Sequence, residues 1–250
     1  MNDYPGLFIS FEGGDGAGKS TQVGLLAAAL RARGYEVVIT REPGGTELGV
    51  RIRELLLSGG EVSPRAEALL FAADRAQHVA ALVRPALARG AVVISDRYLD
   101  SSLAYQGGAR DLDVADVRKI SLWATAGLLP QLTVLLDVPV AAGLARVGAQ
   151  QDRMEAAGTA FHERVRAEFL ALAAREPQRF LVLNGRDEVP DIAAQVLVAV
   201  ARLLAGAAEL VQRAEDDRAD DGTESDSADG ERPELAAKRA VHAQNPEEKP

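Results

Sequence analysis

The sequence predicts an α/β fold, a three-layer sandwich in which a five-stranded parallel sheet is flanked by helices. Three observations carry that prediction. Five short apolar runs, at 7–11, 36–40, 91–95, 132–136 and 180–183, are continuous rather than alternating, as in strands covered on both faces. Segments with helical periodicity follow them, at 20–33, 64–89, 114–126, 161–175 and 190–204. Strands alternating with helices build a parallel sheet, because each crossover must carry the chain back along one face.

Taken in order, the first run is Leu7-Phe8-Ile9-Ser10-Phe11, and the helix after it stops at Arg33-Gly34. The long third-strand crossover stops in the same way at Arg89-Gly90. Glycine closes helices because it takes the left-handed conformation without steric cost. The remaining runs, around Ile94, Val134 and Leu181, each precede or follow a helical pattern. With 47% hydrophobic and only 4% aromatic residues, the core must be built mostly of Ala, Leu and Val. His78 and His162 fall within helical patterns without metal-ligand spacing and are expected on the surface or between helices. Trp123 is expected in the core.

Composition narrows the function. The absence of Cys excludes disulfides, zinc–thiolate sites and thiol catalysis, and it suits a reducing compartment. Residues 1–5 carry no basic segment leading into an apolar run, and no stretch of about 18 apolar residues is read anywhere, so neither a signal peptide nor a membrane span is expected. The expectation is a cytoplasmic protein without a membrane partner. Of the net charge of −9, residues 207–250 account for −7, so residues 1–206 are nearly neutral and offer no basic face for nucleic acid. From about residue 215 large apolar side chains almost vanish, and such a segment cannot offset its ordering entropy by burial. The chain is therefore expected to divide into a folded domain, 1–206, and an acidic, disordered tail, 207–250.

The strongest chemical signal is Gly13-Gly14-Asp15-Gly16-Ala17-Gly18-Lys19-Ser20, followed by Thr21. It matches G-x-x-x-x-G-K-[ST] between a predicted strand and a predicted helix, the context in which backbone N–H groups and a helix N-terminus surround phosphate oxygens. Lys19 is expected to reach the β- and γ-phosphates of ATP, and the Ser20 hydroxyl to bind Mg²⁺. The chain uses 24 arginines and only four lysines, so a lysine at 19 is not a product of composition.

Four further clusters suit a second, phosphorylated substrate. They are Thr40-Arg41-Glu42-Pro43-Gly44-Gly45-Thr46, Phe71-Ala72-Ala73-Asp74-Arg75, Ser95-Asp96-Arg97-Tyr98, and the stretch from Asp100 to Gly108. Phe71 and Arg75 are four apart on a helix, so a ring and a guanidinium share a face that can stack on a base and bond its edge. An isolated pair of this kind is more often a core residue beside a solvated one. Asp96 ends a strand, where ligands of parallel sheets bind, and can hold Mg²⁺; Arg97 can grip a phosphate. No Asn-Lys-x-Asp guanine reader occurs.

Phe11-Glu12-Gly13, the Asp15-containing cradle, residues 40–45, Asp96-Arg97-Tyr98 and residues 101–108 together resemble bacterial thymidylate kinase, in that family's order and spacing. The resemblance runs from about residue 7 to 204 and implies the fold of the P-loop nucleotide kinases. It implies the reaction ATP + dTMP → ADP + dTDP with Mg²⁺, in dTTP biosynthesis. Phe71 would stack on thymine and Arg75 meet its carbonyl edge. Arg97 and Arg53 would hold the dTMP phosphate. Asp15 would receive the 3′-hydroxyl and help order Mg²⁺ with Ser20 and Asp96. Tyr105 would pack under the sugar, with Ser101, Ser102, Gln106 and Glu42 completing the site. Glu42-Pro43 resembles a family turn with a cis peptide.

The family places a mobile lid at about 146–157. Members carry a catalytic arginine either in the cradle or on the lid, and the cradle position here is Gly16. The lid is then expected to supply it, with Arg153 the first choice and Arg146, also an ATP contact, the second. Homodimerisation is a further implication, to which the apolar character of 66–87 lends some support. Two alternatives stand beside this reading. One is a kinase for another nucleoside monophosphate or a deoxynucleoside, against which the Arg53–Arg97 pair argues. The other is a non-catalytic nucleotide-binding regulator, which would show no turnover dependent on dTMP.

Overall fold

The computed structural model describes residues 4–58, 60–110, 112–146, 153–154 and 157–221, with side chains through residue 206. Five strands, β1 (Leu7–Glu12), β2 (Val37–Arg41), β3 (Val92–Asp96), β4 (Leu132–Asp137) and β5 (Phe180–Asn184), pair in the order β2-β3-β1-β4-β5, all parallel. The helices are α1 (Lys19–Arg31), α2 (Glu47–Ser58), α3 (Pro64–His78), α4 (Arg84–Ala88), α5 (Leu99–Ser102), α6 (Val114–Thr125), α7 (Val140–Leu144), α8 (Thr159–Arg175) and α9 (Val189–Asp221). The expected sandwich is therefore present.

Alternation along each strand divides the core in two, because successive side chains point to opposite faces. On one face Phe8, Val93 and Leu135 pack with Val83, Leu87, Leu103 and Phe169. On the other, Ile9, Phe11, Ile94 and Val134 pack with Val23, Leu26 and Leu30 of α1 and with Ile192, Val196 and Val200 of α9. The register aligns Phe11 with Asp96, Asp96 with Arg41, and Asp137 with Asn184. The carboxyl ends of all five strands thus form one polar rim, the usual ligand edge of such sheets.

Several expectations need correction. The long helix predicted over 64–89 is interrupted by a π-helical turn, Val79–Val83, between α3 and α4. Helix α2 was not anticipated, since its buried stripe is only Gly49, Ile52 and Leu56, while Leu48, Val50 and Leu55 are exposed. Residues 99–108 are helical, a short α5 followed by a π-helical stretch, Leu103–Gly108. Trp123 is 84% exposed, not a core residue, because on α6 it is Val117, Ser121 and Thr125 that face inward. Of the two positions expected for His78 and His162, the surface is excluded: both are buried.

Helix α9 continues to Asp221, well past the predicted end at 204 and into the segment read as a tail. Residues 1–207 form one compact unit and 208–250 group separately; the expectation for 222–250 lies outside the described residues. Contrary to the sequence reading, the stretch Val189–Gly206 is by length and composition apolar enough to cross a membrane, with a mean hydropathy of 1.6. Its Ile192, Val196 and Val200 are buried in the core on the α1 side of the sheet.

Candidate active site

The cradle turns out of β1 and into α1. Gly16 (φ 71°) and Gly18 (φ 93°) take left-handed conformations, and a Cβ on Gly16 would collide with the Gly143 carbonyl of α7. Glycine is thus required there twice over, by backbone angle and by space. Lys19, 7% exposed, bends back over the loop and donates to the carbonyls of Gly13 (3.1 Å) and Gly14 (2.9 Å). Burial and the nearby Arg97 guanidinium push the Lys19 ammonium down to about 8, against the pull of Asp96, Asp15 and Glu12. The first amides of α1 have no partner within their helix and face the same space, which suits an anion.

This loop lines a cavity of about 640 Å³ together with Arg41, Glu42, Arg53, Asp96, Arg97 and Arg146. Ser20 and Asp96 meet there, Oγ donating to Oδ2 at 2.9 Å. They are hard oxygen donors of the kind Mg²⁺ takes, and two protein ligands fit an ion that keeps water and phosphate oxygens for its other positions. No group of three or more His, Cys, Asp or Glu that could hold a metal occurs among the described residues. Asp15 also lines this cavity but is engaged by other partners: it accepts from Arg97 at 2.6 Å and Tyr105 at 3.3 Å, with His162 at 3.9 Å. Burial alone would raise the Asp15 carboxyl, but Arg97, Lys19 and His162 outweigh it and hold it below the usual carboxylate range.

Arg97 is the hub. Its backbone is left-handed, with φ at 70°. Its guanidinium reaches the Gly13 carbonyl (3.1 Å), Ser101 (3.1 Å), Asp15 and Tyr105 (3.3 Å), and lies over the Tyr105 ring. A second cavity, about 130 Å³, adjoins it and is lined by Pro43, Leu57, Phe71, Ser101, Tyr105, Gln106 and Met154. The two cavities share Asp15, Glu42, Arg53 and Arg97. Arg53 donates to the Pro43 carbonyl at 3.0 Å, and the Glu42–Pro43 peptide is cis.

The helical face expected to carry Phe71 and Arg75 together is only half as drawn. Phe71 lines the smaller cavity; Arg75, 1% exposed, is not among its lining residues. Arg75 lies behind that wall, donating to Glu42 (2.7 Å), Ser121 (3.2 Å), Ser102 (2.9 Å) and the Tyr98 carbonyl (3.3 Å). Ser102 is accordingly buried and engaged as well. Glu42 completes the network through His78 (2.8 Å), whose other ring nitrogen meets Thr40 (2.7 Å). Gln106 donates to the fully buried Glu67 at 3.0 Å.

The two lid arginines also separate. Arg146 lines the phosphate cavity and contacts the Gly16 and Gly185 carbonyls, both at 3.3 Å. Arg153, the first choice from sequence, is instead bound to the Leu56 carbonyl (2.9 Å) and to Glu67 (2.6 Å), away from the cradle. The lid between them, 147–152, and residues 155–156 lie outside the described residues.

Sequence reasoning missed Glu12, given no role although it ends the apolar run of β1. Its buried carboxyl accepts from the Tyr98 N–H (2.8 Å) and the Ser101 hydroxyl (2.6 Å). Burial, then the neighbouring Asp100, push it up to about 8. Also missed was Arg179, which clamps Asp100 with two bonds of 2.7 and 2.8 Å and for which no sequence signal existed.

A glycine-rich phosphate cradle on the rim of a parallel sheet, opening into a smaller cavity edged by arginine and an aromatic ring, defines the class of P-loop kinases that phosphorylate small molecules. Residues 11–196 match the family model described as thymidylate kinase. The chain is 60% identical over 196 residues to the thymidylate kinase of Leifsonia xyli subsp. xyli, covering 77% of this chain and 93% of that protein. It is 56% identical to that of Clavibacter michiganensis subsp. michiganensis (81% and 98% covered) and 56% identical to that of Bifidobacterium longum (76% and 95%). The chain belongs to the thymidylate kinase family.

Proposed function

We propose that this chain transfers the γ-phosphoryl group of ATP to dTMP, giving ADP and dTDP, as a step toward dTTP. The observation that carries the reading is the pair of cavities joined through Asp15, Glu42, Arg53 and Arg97. Two phosphorylated ligands lying in them would meet end to end at that junction. The triphosphate end rests on Gly13 to Thr21, with Lys19 released from its two carbonyls to the β- and γ-phosphates. Arg97 and Arg53 hold the acceptor phosphate in line.

Phe71 offers its ring to the base. Arg75 serves the carbonyl edge from behind the wall, where four bonds to protein leave one of its five N–H groups over. Gln106, Ser101 and Ser102 shape the rest of that wall, and Tyr105 with Asp15 receives the sugar. Ser20 and Asp96 would hold Mg²⁺, which neutralises phosphate charge when bound. The acceptor is already a competent oxygen nucleophile, so no protein base is required, and catalysis consists of positioning and charge stabilisation. Because Arg146 faces the phosphate cavity, we assign it the donor-side charge in this conformation; Arg153 reaches the phosphates only after leaving Glu67.

A cytoplasmic location and a homodimer complete the reading. The dimer is supported by Leu69 on α3 and Trp123 on α6, which are 56% and 84% exposed. The decisive measurement is ADP release across a panel of nucleoside monophosphates and nucleosides. Turnover is expected with dTMP and not with thymidine; equal rates with thymidine would remove the phosphate-gripping role of Arg53 and Arg97.

A further inference from the structure

We propose that Glu12 is a positioning residue: it holds Arg97 in the left-handed backbone conformation from which the guanidinium reaches the acceptor phosphate. The inference rests on the reading of Arg97 as the acceptor-phosphate grip and deepens it.

The geometry is specific. Arg97 is one of only two non-glycine residues with positive φ among those described, and the other, Ala126, merely closes helix α6. An arginine takes such a conformation only where its surroundings impose it. Both peptide N–H groups flanking the Arg97 α-carbon are fixed by consecutive residues of β1. The Arg97 N–H donates to the Phe11 carbonyl at 2.9 Å, and the Tyr98 N–H to a Glu12 carboxylate oxygen at 2.8 Å. The other Glu12 oxygen accepts from Ser101 at 2.6 Å, and Ser101 accepts from the Arg97 guanidinium at 3.1 Å. One carboxyl group therefore acts on Arg97 at one remove by two routes, through the backbone N–H that follows it and through the serine its guanidinium bonds to.

Packing does not explain an acid at this position. Glu12 and Tyr98 are both 0% exposed, and Glu12 continues the apolar run 7–11. Burying a carboxyl group is costly, whereas an apolar residue at position 12 would fill the space at lower cost. Only an acceptor with two oxygens can satisfy the buried Tyr98 N–H and orient Ser101 together. Asp100, the nearest other acid, is already committed to Arg179 and cannot take over.

The test is a double-mutant cycle read by calorimetric Kd values for dTMP and for a non-hydrolysable ATP analogue, on the full chain. Glu12→Ala is expected to weaken dTMP binding by about tenfold, in line with loss of two buried hydrogen bonds, with the ATP analogue changed by less than about twofold. Glu12→Gln keeps an acceptor for Tyr98 and should fall between; it carries the cycle if the alanine variant does not fold. In an Arg97→Ala background the same substitution should cost less than about twofold, because its effect runs through Arg97. A penalty that persists in full in that background overturns the proposal and leaves Glu12 a structural residue. Unaltered dTMP affinity in Arg97→Ala alone overturns the phosphate-grip reading, and this inference falls with it.

Discussion

At the scale of single residues, the site is a set of charges whose positions are decided by burial. Lys19→Ala removes the one ammonium in the cradle and should lower kcat by about 10² to 10³-fold, the usual loss on deleting a donor aimed at developing charge. A kcat within tenfold of the parent enzyme would place the charge elsewhere. Gly16→Ala should cost about 1–3 kcal/mol, since a Cβ there meets both a positive φ and the Gly143 carbonyl; chemical denaturation measures it. Glu12 ties stability to pH. Its carboxyl is raised to about 8 in the folded chain, against an ordinary value of 4.5. The folded state therefore binds the proton more tightly between those values. The stabilisation is complete below about pH 4.5, falls as pH rises, and is gone above about pH 8. Glu12→Gln should flatten that decline in Tm, and an unchanged slope would assign it to another group. These residues differ in how visible they were. Lys19 was legible because the loop motif fixes it and the chain otherwise prefers arginine. Glu12 was not, because nothing in a sequence tells a strand-ending acid that faces solvent from one aimed beneath a neighbouring strand.

At the scale of elements, helix α3 joins recognition to stability. Phe71 lies on its cavity side and Arg75 in the wall behind. Phe71→Ala should therefore weaken dTMP binding by about 1–3 kcal/mol, the range for lost base stacking, with little effect on Tm. Arg75→Ala should do both. It strips a buried carboxylate, Glu42, of its cationic partner, and breaking such a pair costs about 3–5 kcal/mol. Urea unfolding of the two variants separates the roles, and an Arg75→Ala protein of parental stability would contradict the wall assignment. The helical spacing of four predicts one shared face for both residues, yet only Phe71 lines the cavity. It could not show depth, because an arginine is long enough to pass the cavity and end in the wall. Helix α1 was legible because the loop motif opens it and Arg33-Gly34 stops it; α2 has neither a motif at its start nor a wide buried face, since only Gly49, Ile52 and Leu56 turn inward while Leu48, Val50 and Leu55 are exposed.

At the scale of the whole molecule, the parallel register made the architecture readable. Five continuous apolar runs leave little choice but a sheet covered on both faces, and the polar rim follows from it. What lay beyond reach was the surface. Trp123 reads as core by residue type alone, yet it stands on the outer side of α6. If α6 and α3 form a dimer face, Trp123→Glu should shift the sedimentation coefficient to that of a monomer; an unaltered coefficient would remove this face from the interface.

Before residue 207 the chain carries primary amines on only two side chains, Lys19 in the cradle and the 76%-exposed Lys119 on α6. An acylating reagent followed by peptide mass mapping would find one guarded amine and one open amine within a single domain. Lys119 would serve as the internal reference, and the fraction acylated at Lys19 would report occupancy of the donor site directly, without an added chromophore or an engineered tag.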